Sequence, residues 1–421
     1  MWLSGLHQWW LKWSQLYIRE MPQVLIARLR YPHRLEEVRS AATSRPLKVV
    51  FPVSNLSKWK MQSVFEAMRQ SKAFEPVILL TAMDTETALS AEELRVHLER
   101  ISQELDRRQM KWVWGYDFEN ETCIPIAAFK PDIVFYQQPY GIAEVQNPFA
   151  ASRVALTCYV PYFVQNYGGL DMDCDLFFHR LLWRHFTLSP SWAEVFERYQ
   201  GRVRRAGRVL GLGHPMLDQF AGAKEEDTGA GLVIYAPHWS CGGIGERYST
   251  FLENGEKMLE LAQRHPEIKW VFKPHPTLRQ KLIEHRFMTR EQVAAYYGAW
   301  EKIATSCYDG GYVDLFKKSS VMITDCASFL MEYASTGKPI IHLVAKNPVY
   351  QPHPISAKLF DTYYQTHDWN EFEEHFETVI LQKKDPKREV RLAAVKEMNL
   401  MGMKAGEKIV SYLKDVLGVQ G

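Results

Sequence analysis

Strands alternating with helices in both halves of the chain predict an α/β protein. The pattern implies two Rossmann-like domains facing a cleft, preceded by an N-terminal amphipathic helix. Three observations carry this prediction. Short apolar runs (Leu47–Val53, Ile133–Tyr136, Leu232–Ala236, Val321–Thr324) recur between stretches of helical periodicity. The length, 421 residues, exceeds one ordinary core. The segment Ala221–Gly231, AGAKEEDTGAG, is small, polar and without apolar period, as a linker would be. The expected boundaries are residues 1–45 for the amphipathic helix and a basic connector, and 46–220 for the first α/β domain. Residues 231–384 form the second, and 385–421 the C-terminal helices.

Composition narrows the function. Hydrophobic residues make up 46% and charged residues 24%, which suits a globular chain. A net charge of +2 from 51 basic and 49 acidic residues argues against a dedicated nucleic-acid binder. The six cysteines are scattered without C-x-x-C pairs, which fits a reducing compartment and no structural zinc. No apolar window of about 18 residues offers a membrane span.

The N-terminus, MWLSGLHQWWLKWSQLYIREM, sets Trp2, Leu6, Trp9, Trp13, Leu16 and Tyr17 at helical spacing, with His7, Lys12 and Arg19 among the polar positions. It lacks the basic start and cleavage site of a signal peptide. Residues 1–20 therefore either lie in a membrane surface or dock on protein.

After a basic connector with Arg28, Arg30, Arg34, Arg39 and Arg45, the expected elements follow in order. They are strand Leu47–Val53, helix Trp59–Gln70, strand Val77–Leu80, charged helix Ala91–Arg108, strand Lys111–Trp114 and strand Ile133–Tyr136. Further βα segments lie around Thr157–Val164, His185–Leu188 and Arg208–Leu212. Beyond the linker come strand Leu232–Ala236, a helix near Lys257–Arg264, strand Lys269–Lys273 and the stretch Val321–Val344.

That last stretch, VMITDCASFLMEYASTGKPIIHLV, reads as strand, turn, helix and strand. Gly337 is the expected left-handed cap, and Pro339 forbids continuation of the helix. Free N–H groups at the helix start, beside Asp325 and Ser328, would attract phosphate. Two further motifs follow strands. One is Tyr235–Ala236–Pro237–His238–Trp239 with Gly242, Gly243 and Gly245; the other is Lys273–Pro274–His275–Pro276. All three should converge on one sheet edge.

Each candidate has a functional and a plain structural reading. His275, held extended by flanking prolines, would donate to phosphate or take a proton from a hydroxyl; otherwise it is a turn residue. Asp325 is a site carboxylate or an N-cap. Ser328 and Thr324 would serve phosphate. Glu332 would accept hydroxyls of a ribose or alditol, or lie exposed on its helix. Gly242 and Gly243 would cradle phosphate beside His238, a weak signal alone. Lys338 is expected to be solvated. The acidic run Asp171–Met172–Asp173–Cys174–Asp175 is either a metal-binding triplet or a solvated turn.

As a set these motifs resemble the CDP-glycerol glycerophosphotransferases of teichoic acid and capsule polymer synthesis. That family shows Tyr-Ala-Pro-Thr-Trp-Arg, a strand-end His-Pro, and Ser/Thr-Asp-Tyr-Ser-Ser leading to Gly-Lys-Pro. Here they stand as Tyr235–Trp239, His275–Pro276, Thr324–Ser328 and Gly337–Lys338–Pro339. Gly213–His214–Pro215–Met216–Leu217–Asp218 is similar to the sequence closing the family's first domain. The family's Trp-His-Gly, whose histidine is thought to be catalytic, is replaced by Gln165–Asn166–Tyr167–Gly168.

The resemblance implies a GT-B fold, with the first domain taking the acceptor and the second the nucleotide donor. It further implies a peripheral enzyme on the cytoplasmic face of the membrane. CDP-glycerol or CDP-ribitol would be the donor and a polymer or lipid-linked primer the acceptor, with CMP released. His275 and Asp325 would be catalytic, with Ser328, Glu332, His238, Gly242, Gly243 and Thr324 binding substrate. No metal, no cofactor and no nucleic acid is expected. The alternatives are a UDP-sugar glycosyltransferase or hexosamine 2-epimerase-like enzyme, and a non-catalytic assembly subunit.

Overall fold

The computed structural model of the chain describes residues 20–83, 89–168, 174, 176–199, 207–221, 231–307, 311–402 and 404–419. The Trp-rich segment, most of the acidic run and most of the linker lie outside these. Two compact units emerge: residues 1–163, 170–215 and 404–421 form one, and residues 164–169 and 216–403 the other.

The first unit is built on a seven-stranded parallel sheet of β1 (Leu47–Val53), β2 (Phe74–Leu80), β3 (Trp112–Trp114), β4 (Ile133–Tyr136), β5 (Leu156–Tyr159), β6 (Arg184–Thr187) and β7 (Val209–Gly211). Its spatial order is β3-β2-β1-β4-β5-β6-β7, so the direction of winding reverses between β1 and β4. Because both faces are covered, β4 is apolar throughout and β1 departs from this only at the half-buried Lys48, rather than alternating. Pro52 is tolerated in this central strand because the ladder from β1 to β4 has already ended at Val50↔Val134.

The basic connector is a helix, α1 (Met21–Ala42), with Pro32 inside it. Its apolar residues are sparse, yet Val24, Ala27, Tyr31 and Val38 fall on one buried face. Tyr31 anchors that face: its hydroxyl lies 2.5 Å from both Thr157 Oγ1 and the Leu181 carbonyl. Sequence periodicity missed α1 because arginines cover so much of its surface. Helices α2 (Gln62–Gln70) and α3 (Ala91–Arg107) match their expected positions to within three residues at each end. A Ser90–Glu93 capping box starts α3.

The C-terminal helix Ala405–Leu417 returns to this unit, where it buries Ile409, Val410, Leu413 and Leu417 in the same core as Val64, Phe65 and Met68 of α2. Gly406 makes that approach feasible. A Cβ there would sit 2.5 Å from the Ser63 carbonyl group.

The second unit holds a six-stranded parallel sheet: β8 (Leu232–Ala236), β9 (Lys269–Phe272), β10 (Thr305–Ser306), β11 (Val321–Thr324), β12 (Ile340–Leu343) and β13 (Tyr364–Thr366). The order is β10-β9-β8-β11-β12-β13, with the reversal between β8 and β11. The helices used below are α4 (Phe251–Arg264), α5 (Arg290–Ile303), α6 (Tyr312–Lys318), α7 (Ala327–Ala334) and α8 (Arg388–Glu397). The short strands β10 and β13 carry too few residues for an apolar pattern, and sequence reading passed over them.

Gly337 adopts φ +73°, as its place beyond α7 demands. Its carbonyl accepts from Nε of the fully buried Arg391, 2.9 Å away. Lys338, expected in solvent, is buried instead. Its ammonium donates to the carbonyls of Phe316, Lys317 and Ser319 and so closes the C-terminus of α6, and burial pushes its pKa down to about 8. Among the described residues no helix is long and apolar enough to cross a membrane.

Gly406→Ala should destabilise the chain by about 1–3 kcal/mol, because the added carbon meets backbone that cannot yield. Urea denaturation checks this, and an unchanged midpoint would show that the C-terminal helix does not pack as described.

Candidate active site at the switch point of the second sheet

In doubly wound sheets, ligands sit outside the carboxyl ends of the strands where the winding reverses. In the second unit this point lies between β8 and β11. Pro237 and His238 follow one of these strands, and Asp325 and Cys326 the other.

Asp325 ties the region together. Its Oδ1 accepts from the backbone N–H of His238 (2.6 Å), and Oδ2 accepts from the N–H (2.6 Å) and hydroxyl (3.1 Å) of Thr250, just before α4. The side chain is buried. Burial pushes its pKa up to about 6 even though these donors pull it down. The expectation that Asp325 caps α7 needs correction: Cys326 occupies the cap position and makes no side-chain cap bond. The carboxylate faces backbone on both sides, so it positions rather than reacts.

His238 and His275 stand together, with ring centroids 5.2 Å apart. The His275 N–H donates to the Pro237 carbonyl across the β8 and β9 ends (2.9 Å). The two rings are held alike. Nδ1 of His275 accepts from the Thr277 N–H (3.2 Å) and lies 2.8 Å from its hydroxyl. Nδ1 of His238 accepts from the Ser240 N–H (3.2 Å) and lies 2.7 Å from its hydroxyl, which itself accepts from the Tyr248 N–H (3.0 Å). A backbone N–H can only donate, so each Nδ1 is an acceptor and each neutral ring carries its proton on Nε2. Burial, then the neighbouring His275, pushes His238 down to about 3. Burial, then Lys273, pushes His275 down to about 4. Near neutral pH the pair is thus two uncharged Nε2–H donors.

The buried ammonium of Lys273 lies 5.3 Å from the centre of the Tyr312 ring and 5.5 Å from that of Phe329. It adds fixed positive charge next to the histidines.

Other expected site residues are placed differently. Thr324 is fully buried, with its hydroxyl donating to the Ala236 carbonyl (2.7 Å) and accepting from the Cys326 N–H (2.9 Å). It is structural, not a phosphate ligand. Glu332 is neither exposed nor open to a sugar: it is buried and accepts from the Tyr312 hydroxyl. Gly242, at φ +59°, presses on Phe287, whose ring would lie 2.3 Å from a Cβ there. Its absent side chain serves packing, while Gly243, at φ +90°, has open space around it. Ser328 stays in the first turn of α7, half-buried, with its hydroxyl 3.5 Å from Cys326 Sγ.

Sequence reading missed the hydroxyls that set the tautomers. Their signal was present as His238-x-Ser240 and His275-x-Thr277. It also missed that residues 164–169 cluster with the second unit. There Asn166 Nδ2 donates to the Ala327 carbonyl (2.5 Å), and its own carbonyl accepts from His353 N–H (2.9 Å). No cluster of three or more potential metal ligands occurs among the described residues.

Two doubly wound parallel sheets, one with a donor-lined switch point, define a GT-B-like fold. A profile described as CDP-Glycerol:Poly(glycerophosphate) glycerophosphotransferase matches residues 188–396. Over this segment, just under half of its length, the chain belongs to this family of enzymes.

Over 117 residues the chain is 26% identical to the minor teichoic acid biosynthesis protein GgaB of Bacillus subtilis (strain 168). That match spans 28% of this chain and 11% of the relative's length. Among solved structures, the wall teichoic acid polymerase TagF with CDPG soaked in aligns at TM-score 0.52 and 10% identity, over 96% of this chain and 98% of that one. A putative UDP-N-acetylglucosamine 2-epimerase from Listeria monocytogenes aligns at TM-score 0.57 and 16% identity, over 89% of this chain and 98% of that one. These similarities establish the shared fold.

Two outcomes are expected. Asp325→Asn turns an amide N–H toward a backbone N–H and should cost about 1–3 kcal/mol in urea denaturation; an unaltered midpoint would remove the clamp role. Acid should also destabilise the chain. His179, His185, His214, His238, His275 and His342 are all held below the ordinary value of 6.5 by burial. The unfolded chain therefore binds protons that the folded chain refuses, and stability present above pH 6.5 is lost toward about pH 4. Asp325, raised from 3.8 to about 6, works in the opposite sense, but one carboxyl is outweighed by several imidazoles. The urea midpoint should fall between about pH 7 and about pH 5; a rise would contradict the neutral-histidine assignment.

Proposed function

We propose that the switch point of the second sheet binds the pyrophosphate of a CDP-alditol, CDP-glycerol or CDP-ribitol. The enzyme then transfers the alditol phosphate to a hydroxyl of a cell-surface polymer or its lipid-linked primer. The acceptor oxygen bonds to the β-phosphorus and its hydroxyl proton passes to solvent water, the bond from that phosphorus to the bridging oxygen breaks, and CMP leaves with the electron pair. Negative charge grows on the departing phosphate, where fixed donors are most effective.

The observation that carries this reading is the matched pair of Nε2–H donors on His238 and His275, each locked by a backbone N–H at Nδ1. Ser328 and the first N–H groups of α7 extend the same donor set. His275 acts as a phosphate-binding donor. With Nδ1 occupied and Nε2 protonated, it is not the general base. Asp325 acts through His238 as a positioning residue. Glu332, which favoured a UDP-sugar reading, is withdrawn into contact with Tyr312.

The membrane role rests on residues 1–20. A deletion that tests it should stop at residue 19, because Val24 and Ala27 are core residues.

His275→Ala should lower CMP release from CDP-glycerol by about a hundredfold, and His275→Gln, which keeps a donor, should recover part of the loss. Near-normal turnover in His275→Ala would exclude the role. Thermal stabilisation by UDP-sugars but not by CMP or CDP-glycerol would overturn the donor assignment.

A further inference from the structure

A second cluster of cations lies in the first unit, at the opposite ends of the strands from those where a doubly wound sheet takes its ligand. Arg184 opens β6, Arg208 immediately precedes β7, and Arg28 comes from α1, which lies over these amino ends. The three line one cavity of about 310 Å³, together with Tyr31, Pro32, Leu35, Leu182, Trp183 and Gly207. No acidic side chain is among these lining residues. Glu197 raises the Arg208 pKa through its charge and accepts from the Gly207 N–H (2.9 Å).

Elsewhere in this unit Arg45 grips Asp132 at 2.6 and 2.8 Å, and Arg180 lies 3.6 Å from Glu20. Arg208 is only 5% exposed. Its Nη1 donates to the Arg180 carbonyl (3.0 Å), whereas Nη2 is buried without a hydrogen-bond partner among the described residues. The Arg184 guanidinium carbon lies over the Trp183 ring, 4.4 Å from its centre, and its Nε donates to the Tyr412 hydroxyl. Burial, then the charge of Arg28, pushes Arg208 down to about 9. The cations thus repel one another in a shared pocket.

We infer that Arg28, Arg184 and Arg208 form an oxyanion site at the amino ends of the first sheet that takes a phosphate ester. Guanidinium forks match phosphate oxygens in geometry, and an entering phosphate satisfies the buried Nη2 while relieving the mutual repulsion. The walls of Pro32, Leu35, Leu182 and Trp183 suit the carbon portion of an ester better than a bare ion. The ester has two possible sources, a soluble glycerol phosphate unit or an anionic lipid headgroup. The exposed Leu25 and Leu29, on the same helix as Arg28, border on the second.

The test uses the full chain and its Arg28→Glu variant, with Arg28→Gln as a second substitution. Thermal unfolding is followed against inorganic phosphate and sn-glycerol 3-phosphate, and flotation against phosphatidylcholine vesicles with and without phosphatidylglycerol. A soluble source is indicated if the esters stabilise the natural chain and His275→Ala, while Arg28→Glu needs about tenfold more ligand or over. A lipid source is indicated if only phosphatidylglycerol vesicles retain the natural chain and Arg28→Glu releases it. In phosphate-free buffer Arg28→Glu should unfold at a higher temperature than the natural chain, because its carboxylate meets Arg208. Equal behaviour of the natural and substituted chains toward both probes overturns the inference.

Discussion

The carboxylate of Asp325 is the constraint on which the candidate site depends. A carboxylate sealed from water costs several kcal/mol unless hydrogen bonds replace its hydration. Here the replacement comes from two segments at once: the loop leaving β8, through the His238 N–H, and the entry to α4, through Thr250. The side chain itself departs from the end of β11. Three segments of the second unit are thereby fixed at its switch point. The bond is made to the backbone of the very residue whose ring faces His275, so the clamp also sets the His238 side chain. That burial still raises the Asp325 pKa to about 6 measures how far the site is withdrawn from solvent.

The histidine pair follows from this frame. A ring at a strand end is free to rotate unless something holds Nδ1, and in both residues the holder is the N–H two positions on, aided by Ser240 or Thr277. This repeats one local device on adjacent strands, and it decides the chemistry. Imidazoles that carry their proton on Nε2, and are too buried to charge, are suited to donate to an anion rather than to accept a proton. Neutral donors also avoid the expense of desolvating a cation beside Lys273.

Much of this was legible in the sequence, and the failures have physical causes. β1, β4, β8 and β11 were visible because strands buried on both faces are mostly apolar rather than alternating. His238, His275 and Asp325 were found because prolines and a broken apolar run mark strand ends. The tertiary fate of polar side chains was not visible. Glu332 and Lys338 belong to residue types that usually stay in water, and only contacts from α6, distant in sequence, bury them. Gly242 has the composition of a phosphate loop, but Phe287 occupies the space its side chain would need. Helix α1 hid behind its arginines. The pocket they help to line joins residues near positions 30, 183 and 208, a juxtaposition that no local pattern records.

The replacement of the family's first-domain histidine by the Gln165–Asn166–Tyr167–Gly168 segment bears on how the proposed reaction would run. Asn166 has no basic nitrogen, and its amide is committed to the Ala327 carbonyl at the start of α7. A positioned general base is worth about 10²–10⁴-fold in rate. Phosphoryl transfer, however, passes through a loose transition state in which the acceptor bond is barely formed while the leaving group is already charged. In such a step most stabilisation is needed at the departing phosphate, and under the proposed reading that is where His238, His275 and the helix start would supply donors. Asn166 braces the same helix at the carbonyl of its first residue. Under the proposed reading, a site without that base but with a stiffened leaving-group cradle would be a coherent exchange, with a lower ceiling on rate and an undiminished requirement for the nucleotide.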